Sequence, residues 1–78
     1  STGWRKSPFV KGRQYKVSHT FDSLRDSFSH GEILVYRDQT YSPYDCMTGF
    51  IFADARGTTK VIDLHDDQPL SLITKHLK

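Results

Sequence analysis

The chain alternates between apolar and polar side chains over short stretches, which is the pattern of β-strands with one buried face. The first strand is predicted at residues 15–21, where Tyr15, Val17 and Phe21 occupy alternate positions. Three further segments are rich in β-branched and aromatic residues and predict three more strands, at residues 32–41, 49–54 and 60–64.

The segments between these strands are rich in turn-forming residues. Residues 22–31 contain several Ser and Asp and predict a polar loop, and the spacing of Leu24 and Phe28 leaves a helical turn as an alternative. Tight turns are predicted at residues 42–45, which contain a proline, and at residues 54–57, which end on a glycine.

The C-terminal residues have the features of a helix start. Asp66 and Asp67 offer capping carboxylates and are followed by Pro69, which is favoured in the first turn. Leu70, Ile73 and Leu77 then follow at helical spacing. We therefore predict a short C-terminal helix, with a fifth strand over residues 70–74 as the alternative.

Four or five short strands at close spacing predict a mainly β fold, either a strongly bent antiparallel sheet or a small barrel, with the short helix added. At 78 residues the chain has room for one domain. Residues 1–10 lack periodicity, so we expect them to form a flexible basic arm, and we place the single domain at residues 11–78.

A series of glycine, aromatic and acidic positions runs through this domain: Gly12-x-x-Tyr15-x-Val17, Phe21, Phe28-x-x-Gly31-Glu32, Tyr36, Tyr44-Asp45, Phe50 and Asp66-Asp67. In these positions, over roughly residues 9–77, the chain resembles a family of small bacterial domains of unknown function. The resemblance implies an SH3-like barrel. It implies no activity, because the family has no established chemistry.

Composition narrows the class of protein. The chain is 36% hydrophobic and contains ten aromatic residues, which indicates a folded domain. No apolar run is long enough to span a bilayer, and no signal peptide is recognisable, so we expect a cytoplasmic protein without membrane contact. A single cysteine excludes an intramolecular disulfide.

Candidate catalytic and metal-binding residues are few. Cys46 lacks a local nucleophile signature, and we expect it to be a small buried apolar residue. His65, Asp66 and Asp67 are adjacent, but neighbouring strand residues point to opposite faces, and the spacing of a zinc site is missing. We therefore predict no catalytic residue, no metal site and no cofactor, and a protein that is not an enzyme.

Tyrosines indicate a protein-binding surface. A small core does not need all ten aromatic side chains, and tyrosine is enriched at protein interfaces. The leading hypothesis is a protein interaction module with an exposed patch of Tyr36, Tyr41 and Tyr44, which binds another protein or a second copy of the chain. Burial of all these tyrosines in the core is the alternative interpretation of the same residues.

The N-terminal charges suggest a second hypothesis. The first sixteen residues contain five basic side chains and no acidic one, whereas the other 62 contain six basic and nine acidic ones. Basic residues interleaved with Trp4, Phe9 and Tyr15 are typical of barrels that bind single-stranded nucleic acid. This alternative uses five residues: Arg5, Lys6, Lys11, Arg13 and Lys16. A solvated tail would carry the same charges.

Overall fold

Six β-strands and one short helix follow each other along residues 5–78, which are the residues that the computed structural model describes. Four strands form one antiparallel sheet in the order β1-β4-β5-β6, and β2 and β3 form a separate hairpin. The elements are β1 (Gln14–Lys16), β2 (Phe21–Asp22), β3 (Ser27–Phe28), β4 (Ile33–Ser42), β5 (Met47–Ala53), β6 (Thr59–His65) and α1 (Ser71–Thr74).

The mainly β prediction is confirmed. The sheet is bent and does not close into a barrel, and the short C-terminal helix is present. The predicted strands at residues 32–41, 49–54 and 60–64 correspond to β4, β5 and β6 within two residues at each end. The predicted first strand is divided between β1 and β2, with residues 17–20 outside both strands.

One alternative and one prediction are wrong, namely the helical turn left open within residues 22–31 and the capping of the C-terminal helix by Asp66 and Asp67. Residues 22–31 contain the second strand of the β2–β3 hairpin and no helical turn; Phe28 is buried, whereas Leu24 is 68% exposed. The C-terminal helix starts at Ser71 and has no side-chain cap, so Asp66 and Asp67 do not begin it. Instead of continuing the helix, Leu77 forms an antiparallel bridge with Val17.

A bulge in β4 determines which residues of this strand face the core. Up to Tyr36, even-numbered residues face inward, and Tyr36 pairs with the buried Phe52. The register shifts between Tyr36 and Asp38, so that Gln39 and Tyr41 face inward further along the strand. The fully buried core residues are Val17, Phe28, Leu34, Tyr36, Phe50, Phe52, Ile62 and the polar Thr48.

The segment before β1 is packed against the sheet. Phe9 is 7% exposed, and its ring contacts four aromatic rings at centroid distances of 5.1–5.6 Å: Tyr15, Phe52, Tyr36 and Phe50. Arg5 is also 7% exposed. Arg5 and Phe9 are therefore packed against the domain, which differs from the flexible arm expected for residues 1–10, while Lys6, Pro8 and Val10 are exposed. Residues 1–4 of the predicted arm lie outside the described residues.

Side chains cover the outer edge of β6. Three of them accept hydrogen bonds from its outward N–H groups, each at 2.9 Å: Asp26 from Val61, Ser23 from Asp63, and Gln68 from His65. A partner strand needs such N–H groups to extend a sheet. We therefore do not expect binding by strand addition at β6.

Candidate functional site

Tyr36, the first tyrosine of the predicted patch, is not at the surface. It is 1% exposed and lies among the buried aromatic rings, 5.3 Å from the centroid of Phe52. Burial raises the pKa of its hydroxyl, and the nearby Ser7 and Lys11 oppose this shift. Tyr36 is therefore a core residue, and its place in a protein-binding patch is corrected.

Tyr41 is half-buried, because the β4 bulge turns it inward opposite the buried Thr48. Its hydroxyl donates a hydrogen bond of 2.6 Å to Oδ2 of Asp66. This bond raises the pKa of Tyr41 to about 12, because ionisation would place two negative charges together. Asp66 thus stabilises the sheet end through Tyr41 and does not cap the helix.

Tyr44 is the tyrosine that the structure leaves available. It is 97% exposed at the centre of the turn between β4 and β5, which we call the Tyr44 loop (residues 42–46). The predicted turn at residues 42–45 is thereby confirmed. Of the three predicted tyrosines, one is buried, one is tied to Asp66, and Tyr44 alone remains largely exposed.

The Tyr44 loop is held by hydrogen bonds on both sides of its exposed ring. The Ser42 hydroxyl donates to Asp45 at 2.9 Å, and the backbone N–H of Asp66 donates to the Cys46 carbonyl at 2.8 Å. Cys46 has a φ of 52°, in the left-handed region, and its side chain is exposed. The expectation that Cys46 is buried is therefore wrong.

The five predicted nucleic-acid-binding residues have different environments. Lys6, Lys11, Arg13 and Lys16 are exposed, and Lys11 forms an ion pair with Asp38 at 3.3 Å. Arg5 is buried, and its guanidinium donates to the backbone carbonyls of residues 65, 66 and 68, so it adds a positive charge below the surface but no exposed side chain that could contact a nucleic acid. Trp4 lies outside the described residues.

The aromatic part of the nucleic-acid hypothesis finds less support. Phe9 lies in the core, and the half-buried ring of Tyr15 packs against it at 5.1 Å. The buried ring of Phe9 is therefore not available for stacking on a base, and Tyr15 is only partly exposed. In the described part of the chain, the exposed basic side chains are therefore the main support for nucleic-acid binding.

One feature was missed by the sequence analysis. An open groove of about 290 Å³ lies between residues 5–11 and the bulged part of β4. We call it the cationic groove, and its lining residues are Arg5, Lys6, Ser7, Phe9, Lys11, Tyr36, Asp38 and Gln39. The cluster of basic residues is its only signal in the sequence, because no local pattern indicates that Phe9 folds the segment onto β4.

The described residues contain neither a metal-binding cluster nor a membrane-spanning helix. Over residues 5–78, no group of three or more His, Cys, Asp or Glu side chains is arranged to hold a metal ion. The same residues form no helix of the length and apolar character needed to cross a membrane.

The Tyr41–Asp66 contact predicts a pH effect. Tyr41 has a pKa of about 12 in the folded protein, above its ordinary value of 10.0. The contact therefore stabilises the fold fully below about pH 10, and this stabilisation is lost as the pH rises towards 12. We expect Asp66→Ala to return the pKa of Tyr41 towards 10, as measured by the ultraviolet absorbance of tyrosinate during alkaline titration.

Two variants control this measurement. Tyr41→Phe should remove one tyrosine from the high-pH part of the titration, which assigns that ionisation to Tyr41, whereas the buried Tyr36, whose pKa is also raised, remains. Asp67→Ala removes a neighbouring exposed carboxylate and should leave the titration unchanged. An unchanged curve in Asp66→Ala would show that the hydrogen bond does not control the ionisation of Tyr41.

No protein-family model matches the chain, and no curated protein or solved structure matches it. The resemblance to the bacterial domain family stays a prediction. A functional assignment therefore rests on the side chains of this molecule.

Proposed function

We propose that the protein is a non-enzymatic protein interaction module and that Tyr44 is its main contact residue. The observation that carries this proposal is a tyrosine 97% exposed on a hydrogen-bonded loop. The partner is another protein or a second copy of the chain.

A tyrosine on an ordered loop is well suited to bind a protein. Its ring buries a large area and loses the freedom of only two side-chain torsions, and its hydroxyl retains a hydrogen-bonding group. The bonds of Ser42 and Cys46 order the loop before contact, which lowers the entropy lost on binding. A partner pocket that encloses the ring would therefore gain affinity at a small conformational cost.

The surroundings of Tyr44 indicate a small contact. Pro43, Asp45 and Cys46 are exposed beside it, and Met47 is partly exposed at the start of β5. A complete interface needs roughly 800 Å² from each partner, which one loop does not supply. The Tyr44 loop would therefore act as the energetic centre of a larger contact.

The proposal predicts that Tyr44→Ala removes binding without unfolding the protein. The ring has almost no intramolecular contact, so the free energy of unfolding should change by less than about 0.5 kcal/mol. A photoreactive phenylalanine at position 44 should form crosslinks in cells, and denaturation measurements on Tyr44→Ala should show wild-type stability.

Leu24 provides the matched control position, because it is an exposed apolar residue on the tip of the β2–β3 hairpin. The same photoreactive residue at position 24 should give none of the crosslinked products seen at position 44. Crosslinks to a second copy identify self-association, which sedimentation of the purified protein would show as a concentration-dependent mass. Equal crosslinking at both positions, or none at position 44, would contradict the proposal.

Nucleic-acid binding is less well supported as the main function. Lys6, Arg13 and Lys16 remain exposed, but Arg5 is buried and the rings of Phe9 and Tyr15 pack together. An affinity for oligonucleotides that falls steeply with salt and does not depend on Tyr44 would favour this alternative over the protein-binding proposal.

A further inference from the structure

The cationic groove combines positive charge with hydroxyl groups. Arg5, Lys6 and Lys11 contribute three positive charges to its lining, and Asp38 contributes one negative charge. The side chains of Ser7 and Tyr36 also line it, and the Ser7 hydroxyl is already bonded to the backbone of Phe9, to its carbonyl at 3.2 Å and from its N–H at 3.1 Å. These groups come from two elements that the sequence separates, the segment before β1 and the bulge of β4.

Burial fixes the inner part of the groove. The Arg5 guanidinium donates to the carbonyls of His65 at 3.0 Å and Asp66 at 2.9 Å, which sets its position. Gln39 donates from its side-chain amide to the Arg5 carbonyl at 2.9 Å, which joins the two walls of the groove. The Arg5 charge therefore lies at a defined place in a poorly solvated region, where electrostatic attraction is stronger than in water.

The outer part of the groove is adjustable. Lys6 is exposed, and Lys11 forms its ion pair with Asp38 between two largely exposed side chains. Ion pairs of this kind contribute little free energy, so Lys11 is able to turn towards an anion in the groove. Two mobile ammonium groups would then close over a ligand that contacts the fixed inner wall.

We propose that the cationic groove binds the phosphate group of a small phosphate monoester. The lining has a net charge of +2, and a phosphate monoester carries close to two negative charges at neutral pH. Its oxygens accept charge-assisted hydrogen bonds from ammonium groups, which Lys6 and Lys11 supply. A volume of about 290 Å³ holds a phosphate with a small organic group and lies at the lower limit of ordinary ligand sites.

The second groove of the described residues shows that this charge is local. It has a volume of about 140 Å³ and lies between the β2–β3 hairpin and α1. Asp22 and Asp63 line it, and it has no basic residue in its lining. An anion attracted by the small net charge of the whole chain would not distinguish these places, whereas a ligand of the cationic groove would.

The test is a titration with inorganic phosphate and with phosphoserine, followed by the backbone amide resonances. Added sodium chloride keeps the ionic strength constant, and serine serves as the ligand without phosphate. We expect saturable shifts centred on Ser7, Phe9 and Gln39. The double substitution Lys6→Ala with Lys11→Ala should weaken binding by about tenfold or more, because it removes two charge-assisted contacts.

A second double substitution has the same change in net charge at other places. Arg56→Ala with Lys75→Ala removes two exposed basic residues that do not line the groove, and it should change the affinity by less than about twofold. Binding of phosphoserine but not of inorganic phosphate would still support the site and would assign it to a phosphorylated amino acid. Binding of both assigns it to the phosphate group.

Three results would overturn the proposal: shifts that do not saturate, equal weakening in the two double variants, or binding of an oligonucleotide without binding of either phosphate compound. The last result would indicate a polyanion surface instead of a phosphate groove. None of these measurements depends on Tyr44, so they leave the protein-binding proposal to its own test.

Discussion

Replacing Phe9 with alanine is expected to lower the free energy of unfolding by about 3–5 kcal/mol, the range for removal of a large aromatic side chain from a core. The Phe9 ring is 7% exposed and lies 5.2 Å from the Phe52 centroid and 5.6 Å from the Phe50 centroid. The truncation would remove these edge-to-face contacts and leave a cavity beside the sheet. Urea denaturation followed by circular dichroism measures the change.

Val10→Ala is the matched control for this prediction. Val10 is the next residue along the chain and is exposed, so its truncation should change the free energy of unfolding by less than about 0.5 kcal/mol. If Phe9→Ala and Val10→Ala had the same small effect, the segment before β1 would not contribute to the core. The predicted flexible arm would then describe residues 5–10 correctly.

The strands were predictable because their signal is local. The dense β-branched and aromatic residues of β4, β5 and β6 mark each strand without reference to the rest of the chain. The turn at residues 54–57 is local as well. Gly57, at the end of this turn, has a positive φ of 82°, and the Asp54 carboxylate accepts backbone hydrogen bonds within the turn.

The faces of β4 were not predictable in the same way. The strand is apolar on both sides near Tyr36, so alternation does not show which residues are buried. The bulge between Tyr36 and Asp38 then changes the phase, and it depends on pairing with β5. This is the physical reason why Tyr36 was assigned to the surface and Tyr41 was not recognised as a partner of Asp66.

Long-range contacts explain the remaining differences. Asp66 follows β6 by one residue and suits a helix cap locally, but the Tyr41 hydroxyl reaches its carboxylate from β4. The sequence around Arg5 and Phe9 is basic and has no periodic pattern that would indicate burial. The groups that bury these two residues lie far along the chain. Periodicity therefore predicts the strands, and it does not predict which polar side chains become internal.

The two proposed sites differ in the same way, because one depends on local sequence and the other on long-range contacts. The Tyr44 loop is a local feature, and the sequence located both its turn and its tyrosine. The cationic groove exists because Phe9, together with the hydrogen bonds of Arg5, holds the N-terminal segment against β4. Loss of the Phe9 packing should therefore damage the groove more than the Tyr44 loop, which the hydrogen bonds of Ser42 and Cys46 maintain.

Arg5→Met is expected to lower the free energy of unfolding by about 2–4 kcal/mol, because it leaves partly buried carbonyl groups without their donor. The guanidinium donates to the carbonyls of His65, Asp66 and Gln68. The His65 carbonyl also accepts from the Gln68 N–H, so the loss falls mainly on Asp66 and Gln68. Methionine fills a similar volume, which separates this loss from that of a cavity.

The exposed neighbour Lys6 is the control, since Lys6→Met should change the free energy of unfolding by less than about 0.5 kcal/mol. Hydrogen exchange adds a local measurement, because loss of the Arg5 donor should loosen the loop after β6 and speed exchange of the Gln68 amide. Equal stability of the two variants, with unchanged exchange at Gln68, would show that the buried guanidinium gives no net stabilisation. Phe9 and the hydrogen bond from Gln39 to the backbone carbonyl of residue 5 would then hold the N-terminal segment.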